Sequence, residues 1–273
     1  MKPAFPLVGS VAVITGAASG IGAALAAALA ARGCHLALVD RDAAGLAATS
    51  IRCSSVTVST HVLDISDRDS IIALPEAVLA VHGKVDILVN NAGVALGGQF
   101  SQLSLDDFAW LIEINFWGVV RMTHAFLPIL LAQPTAQIVN LSSIFGIIAP
   151  AGQTAYSASK FAVRGFSESL SAELATSNVG VTVVHPGGVA TAIASNARIG
   201  HKVQMDPADA EAQRVRLARM LRLPPADAAA RILRGIEHRQ KRVLVGRDAR
   251  MVALIQRLFP VSYHRVLQFL TRG

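Results

Sequence analysis

The stretch from Val11 to Gly22, VAVITGAASGIG, decides the fold. Its first five residues are apolar or β-branched, the composition of a strand buried on both faces. Gly16, Gly20 and Gly22 follow, and an Ala/Leu run from Ala23 to Ala31 continues with high helix propensity. A strand passing through a glycine turn into a helix brings free backbone N–H groups and the positive end of the helix dipole to one point, where a pyrophosphate is favoured. The spacing is Gly-x3-Gly-x-Gly, a departure from Gly-x-Gly-x-x-Gly, so the turn needs its context. That context is a second strand-like run, His35 to Val39, ending in Asp40.

Working outward, further apolar runs lie at Val56 to Val62, Val85 to Val89, Gln137 to Leu141, Val179 to His185 and Arg242 to Val245. Helical periods separate them at about 21–32, 42–50, 67–82, 105–132, 155–177 and 226–239. Near-continuous apolar strands alternating with helices predict a doubly wound, Rossmann-type α/β fold, with seven parallel strands and helices on both faces. Residues 1–246 read as one dinucleotide-binding catalytic domain. Residues 190–223 break the alternation and read as a substrate loop, and 247–273 as a basic amphipathic extension.

The 273 residues are 52% hydrophobic and 16% charged, which excludes a disordered chain. The net charge of +7 is uneven: residues 1–213 hold 11 Lys+Arg against 15 Asp+Glu, and 214–273 hold 14 against 3. Any membrane or nucleic-acid reading therefore falls on the last sixty residues. No helix-turn-helix, zinc or aromatic-stacking pattern accompanies that charge, so nucleic acid is not expected as a partner. The longest evident apolar run, Ala23 to Ala31, is too short to span a bilayer, and the N-terminus reads into a strand rather than a leader, so a cytoplasmic location is expected. Cys34 and Cys53 have no metal or redox spacing, and no metal site is expected; both read as packing residues.

At the nucleotide end, Asp40 can accept from ribose hydroxyls and would repel a 2′-phosphate, which favours NAD; Arg41, next in the chain, leaves NADP open. The fourth strand runs into Asn90-Asn91-Ala92-Gly93, small residues and amides suited to line the crevice where strand order reverses. Asp64, followed by Ile65, either meets the adenine or caps the helix near Ser66.

At the chemical end, Tyr156 and Lys160 stand four apart in YSASK, on one face of a helix. An ammonium beside a phenol lowers a pKa that starts near 10 and makes Tyr a usable acid/base. Ser143 ends the fifth strand, where its hydroxyl can reach a substrate oxygen. Asn115 lies inside a helix, a position its capping preference does not explain.

TGAASGIG, Asp40, NNAG, Asn115, Ser143, YSASK and HPGGVAT occur in an order and spacing that resembles the short-chain dehydrogenase/reductase family, over residues 9 to about 245. The resemblance implies that Tyr156 exchanges a proton, that Lys160 holds the nicotinamide ribose, and that Ser143 polarises the carbonyl. It implies that Asn115 organises a water relay, that Pro186 and Gly187 shape the turn under the nicotinamide, and that Val189 and Thr191 meet its carboxamide. Gly16, Ser19, Gly20, Ile21, Gly22, Asp40, Arg41, Asp64, Ile65, Asn91, Ala92 and Gly93 would complete the cofactor site. The expected substrate is a small alcohol or ketone. Ile144, Phe145, Ile147 and Ile148 suggest an apolar wall and so a lipophilic or secondary one, while Arg198 and Lys202 in the loop keep charged substrates open. The family's use of the helices bearing Asn115 and Tyr156 as subunit contacts implies a homodimer or homotetramer. The competing readings are a dinucleotide-sensing protein without catalysis and a reductase held at a membrane surface by its basic tail. That tail can lie on an anionic membrane, on a neighbouring subunit or over its own cleft; protein contacts are the favoured reading.

Overall fold

In the computed structural model, which describes residues 4–203, 206 and 221–271, the seven apolar runs pair as one parallel sheet. Its strands are β1 (Val11–Thr15), β2 (His35–Asp40), β3 (Val58–Val62), β4 (Ile87–Asn90), β6 (Ala136–Leu141), β7 (Val179–Pro186) and β9 (Arg242–Val245), in the order β3-β2-β1-β4-β6-β7-β9. The chain walks outward from β1 to β3, returns across β1 and walks the other way. The strand order therefore reverses between β1 and β4, and a crevice opens at their carboxyl ends. Two short strands the period did not predict, β5 (Leu96–Gly97) and β8 (Arg198–Ile199), pair in parallel.

Side chains alternate across the sheet, as the pleat requires. Ile14, Leu36, Leu38 and Val89 face one layer, with Leu25 and Leu29 of α1 (Gly20–Ala30) and Ile232 and Ile236 of α7 (Pro225–Glu237). Val13, Val39, Leu88 and Ile138 face the other, with Ile71, Leu74 and Val78 of α3 (Arg68–His82), Met122, Phe126 and Leu130 of α5 (Gly118–Leu131) and Leu170 of α6 (Thr154–Glu173). Between β2 and β3 runs α2 (Ala43–Arg52), whose N-cap Asp42 accepts from Gly45 N. Cys34 and Cys53 are buried and free, with the Cys34 thiol pushed up to about 12 by burial.

The predicted helix 105–132 is one rod with a defect. α4 (Leu105–Ile112) opens on a capping box of Ser104 and Asp107, passes through a π turn at Glu113–Trp117 and continues as α5. This rod, 27 residues long with an 18-residue stretch of mean hydropathy 1.3, is the one helix among the described residues long and apolar enough to cross a membrane. The expectation of no such run is corrected here. Met122, Phe126 and Leu130 are spent on the sheet, so the rod is one layer of the fold.

After β9, Gly246 (φ +101°) turns the chain into α8 (Arg247–Leu258), and α9 (Tyr263–Thr271) follows. Val252 and Tyr263 are buried together with Ile147 and Ile148, and Ala149 N–H donates to Tyr263 Oη at 3.0 Å. One face of the tail thus packs on its own chain, just beyond Ser143.

Candidate active site

The glycine turn is tight because each glycine lacks a Cβ. Gly16 and Gly20 have φ of +67° and +54°, and a Cβ on Gly22 would stand 2.1 Å from Gly16 O. Asn91 Nδ2 donates to Thr15 O (2.9 Å) and Gly16 O (3.1 Å), which pins β4 to the turn. Thr15 Oγ1 accepts from Asn91 N and Ala92 N at 2.9 and 3.0 Å. The first intrahelical bond of α1 is Ala23 N to Ser19 O, so the amides of Gly20, Ile21 and Gly22 precede the ladder. Ser19 is the N-cap, makes no side-chain cap bond, and no acid stands in the first turn. Such a cradle fits a pyrophosphate.

Asp40 ends β2 beside this turn, with Oδ2 accepting from Ala18 N (3.0 Å) and Oδ1 from Asp42 N (3.1 Å). Arg41 Nη1 lies 3.9 Å from Asp64 Oδ2. Asp64 Oδ1 accepts from Ser66 N and Ser66 Oγ at 2.9 and 2.7 Å, while Asp67 is the true N-cap of α3. Asp64 thus holds the turn before α3 through Oδ1. Ile65 is buried and sits where a Cβ on Gly118 would fall, which ties the β3 turn to α5.

The chemical groups gather at the neighbouring strand ends. Ser143 follows β6 and accepts from Phe145 N (3.1 Å), opening a short turn at Ile144–Gly146. The Tyr156 phenol lies near enough to the Ser143 hydroxyl for Ser143 to favour its ionised form. Tyr156 and Lys160 occupy the first two turns of α6. Lys160 is buried, donates from Nζ to Leu141 O at 3.1 Å, and stands 5.7 Å from the centre of the Tyr156 ring. Burial lowers the Lys160 ammonium to about 8. It raises the Tyr156 phenol, and the Ser143 hydroxyl pulls it partly back. Burial is the larger of the two effects, so the phenol stands above its ordinary value in this structure, against the depression expected beside Lys160.

The close approach of the Ser143 turn to α6 has a local cause. Ser142 Oγ donates to Lys160 O at 2.8 Å, and a Cβ on Gly146 would stand 2.2 Å from that hydroxyl. From the other side, the buried Asn115 in the π turn accepts from Val94 N (2.8 Å) and donates to Val94 O (3.0 Å) and Ser159 Oγ (3.2 Å). Asn115 therefore clamps the strand after Gly93, whose added Cβ would fall 3.1 Å from Asn115 Oδ1 and 3.4 Å from Lys160 Nζ.

Pro186 ends β7 opposite Val245, and Gly187 N donates to Val245 O. Val189 is buried and Thr191 Cγ2 comes within 3.1 Å of a Cβ placed on Gly20, so this turn folds back over the glycine cradle. Gly188 N donates to Asp248 Oδ2 at 2.7 Å, a clasp from α8 that sequence reading missed. At the end of β7 His185, a residue with no partner at metal-ligand spacing, bonds Ser143 O through Nδ1 at 2.9 Å from a fully buried ring. A histidine in an otherwise apolar strand end is the signal, since a buried polar group needs a partner.

Of the loop 190–223, residues 204, 205 and 207–220 lie outside the described residues. Arg198, one of the two loop cations that kept charged substrates open, has its guanidinium stacked 4.1 Å from the Trp110 ring centre and 3.5 Å from Asp107. Ile147 and Ile148, read as substrate wall, are packed under Val252 and Tyr263. Phe145 remains beside the chemistry, edge-on to Tyr156 at 6.0 Å.

The chain matches the family model for short chain dehydrogenase over residues 10–202. It is 42% identical over 264 residues to the putative oxidoreductase SadH of Mycobacterium tuberculosis, covering 95% of this chain and 94% of that one. Among solved structures, a short chain dehydrogenase/reductase from Burkholderia phymatum in complex with NAD superposes with a TM-score of 0.84 at 32% identity, over 93% of this chain and 95% of that one. A metagenomic short-chain oxidoreductase in complex with NADP superposes with a TM-score of 0.72 at 32% identity, over 88% and 98% of the two chains. With the reversed strand order, the glycine cradle and the Ser143, Tyr156 and Lys160 group on one rim, these matches make this chain a member of the short-chain dehydrogenase/reductase family of oxidoreductases.

Proposed function

We propose that the chain is a nicotinamide-dependent alcohol dehydrogenase or carbonyl reductase that prefers NAD and acts on an apolar secondary alcohol or ketone. The observation that carries this is the Tyr156 phenol beside the Ser143 hydroxyl, with buried Lys160 beneath the ring, and β4 alone between this strand end and the glycine cradle. The nicotinamide, when bound, supplies the hydride exchange. Tyr156 as phenolate takes the proton of the substrate alcohol, and as phenol returns one to the developing alkoxide in the reverse direction. Ser143 donates to the same oxygen and stabilises its charge. Lys160 would hold the ribose and favour the phenolate of Tyr156 through its ammonium. Asn115 keeps the Gly93–Val94 segment against Lys160. Gly16, Ser19, Gly20, Ile21 and Gly22 bind the pyrophosphate, Asp40 the ribose, and Asn91, Ala92, Gly93, Asp64 and Ile65 line the adenosine side. Pro186, Gly187, Val189 and Thr191 shelter the nicotinamide. Phe145, edge-on to the phenol, supports an apolar substrate.

A panel of secondary alcohols, steroids, sugars and acyl ketones, followed by NADH absorbance, tests the reaction. The expected result is turnover restricted to apolar members. Absence of any substrate-dependent change across the panel favours the dinucleotide-sensing alternative, which has no use for an intact Ser143, Tyr156 and Lys160. For the cofactor, Asp40→Ser is expected to move the ratio of NADPH to NADH affinity about ten- to hundredfold toward NADPH, the worth of one charge-assisted hydrogen bond. Both cofactors are titrated by fluorescence; an unchanged ratio removes Asp40 from the ribose. Leu105, Trp117 and Leu131 on the α4–α5 rod and Phe161 on α6 are exposed apolar residues. They support a homodimer or homotetramer formed on these helices.

A further inference from the structure

We infer that the exposed face of α8, with the arginine-lined recess between α7 and α8, docks on an anionic phospholipid surface. The helix divides its stripe. Ala249 and Val252 are buried on the fold, while Met251, Leu254 and Leu258 are 52%, 57% and 63% exposed on the opposite side. Phe259 and Val261 extend this apolar row into the turn before α9 at 45% and 88% exposure. At 100° per residue, Arg250 and Arg257 lie along one border of the row. Arg250 continues into a recess of about 280 Å³ lined also by Arg231, Arg234, His238 and Gln240, with no carboxylate in its wall. The recess shares no residue with the Tyr156 site.

The charge of this region is left uncompensated by the fold itself. Between Pro225 and Thr271 there are nine Lys+Arg and three Asp+Glu. Glu237 pairs with Arg32, and Asp248 is held by Gly188 N–H, which leaves Asp227. Arg231 is fixed by a 3.0 Å bond from Nη2 to Gln240 Oε1. Its guanidinium is held below its usual range by burial and then by the positive charges of Arg250 and Arg234. An apolar row bordered by arginines matches an interface of acyl chains and headgroup phosphates. A second copy of this chain fits poorly, because an isologous two-fold contact would join two surfaces with the same excess of positive charge. The docking rests on α7 and α8 alone and stands independently of the reaction assigned to Tyr156.

Flotation of the full chain with vesicles of phosphatidylcholine, with or without phosphatidylglycerol, tests it. Binding is expected only to the anionic vesicles and to weaken with added salt. Arg250→Gln with Arg257→Gln is expected to lower partitioning about thirtyfold, at about fivefold per arginine near the surface. Leu254→Glu is expected to abolish binding, with the thermal midpoint and sedimentation coefficient unchanged. Equal binding to neutral vesicles, or binding undiminished in the arginine variant, overturns the inference. A loss of oligomer mass in Leu254→Glu assigns the face to a second copy and overturns it, as does retention of duplex DNA without vesicle binding.

Discussion

Tyr156→Phe is expected to lower kcat by about 10²- to 10⁴-fold, the range for loss of a positioned general acid/base, while NADH affinity stays within about twofold because the phenol holds no part of the dinucleotide. The ring remains edge-on to Phe145, so packing is preserved and the missing atom is the hydroxyl. Ser143 would keep its bond from Phe145 N and could still donate to the substrate oxygen, which leaves residual polarisation but no proton to exchange. Single-turnover absorbance on the best member of the panel, with a parallel NADH fluorescence titration, separates the two effects. Near-normal turnover would remove Tyr156 from the chemistry.

A large effect of a different kind is expected at His185. Burial lowers its imidazole from 6.5 to about 4; the cations Arg242 and Arg164 act in the same direction, opposed by the Ser143 carbonyl and by Glu168. The folded pKa is below the unfolded one, so between pH 6.5 and 4 the unfolded chain binds the extra proton. Stability therefore falls as pH falls through that window, by about 3 kcal/mol in all. His185→Asn keeps a side-chain N–H in reach of Ser143 O and cannot titrate. Urea unfolding at a series of pH values is expected to show a shallower acid slope in the variant than in the parent. His61 and His82, also held down by burial, contribute equally to both proteins. Coincident slopes would mean that His185 opens to solvent long before the chain unfolds.

What was legible in the sequence follows from how each feature is encoded. Buried parallel strands leave continuous apolar runs, so all seven main strands were found, with ends displaced by a residue or two where a cap or a pairing partner sets the boundary. β5 and β8 are two residues each, too short to show any period. The π turn at Asn115 is a change of hydrogen-bond partner from one residue to the next, which side-chain spacing does not record. The motif residues gathered at the crevice because the fold places strand ends there. The partners of Arg198 are not legible, because a lone cation in a loop gives no sign of Asp107 and Trp110, ninety residues earlier. Ile147 and Ile148 were read as wall because the helices that cover them come more than a hundred residues later.

The glycine at 146 has a consequence for how this site tolerates change. It bears no functional group, yet a side chain there would push at once on the Ser142 hydroxyl and, at 2.7 Å, on Lys160 O. One methyl group would therefore displace Ser142, the neighbour of Ser143, and the helix bearing Tyr156 and Lys160 together, so the two halves of the proposed catalytic group vary as one body. Selection on the reaction would then act on a position with nothing to contribute to it, and substrate range can drift through Phe145 and the loop while this spacing stays fixed.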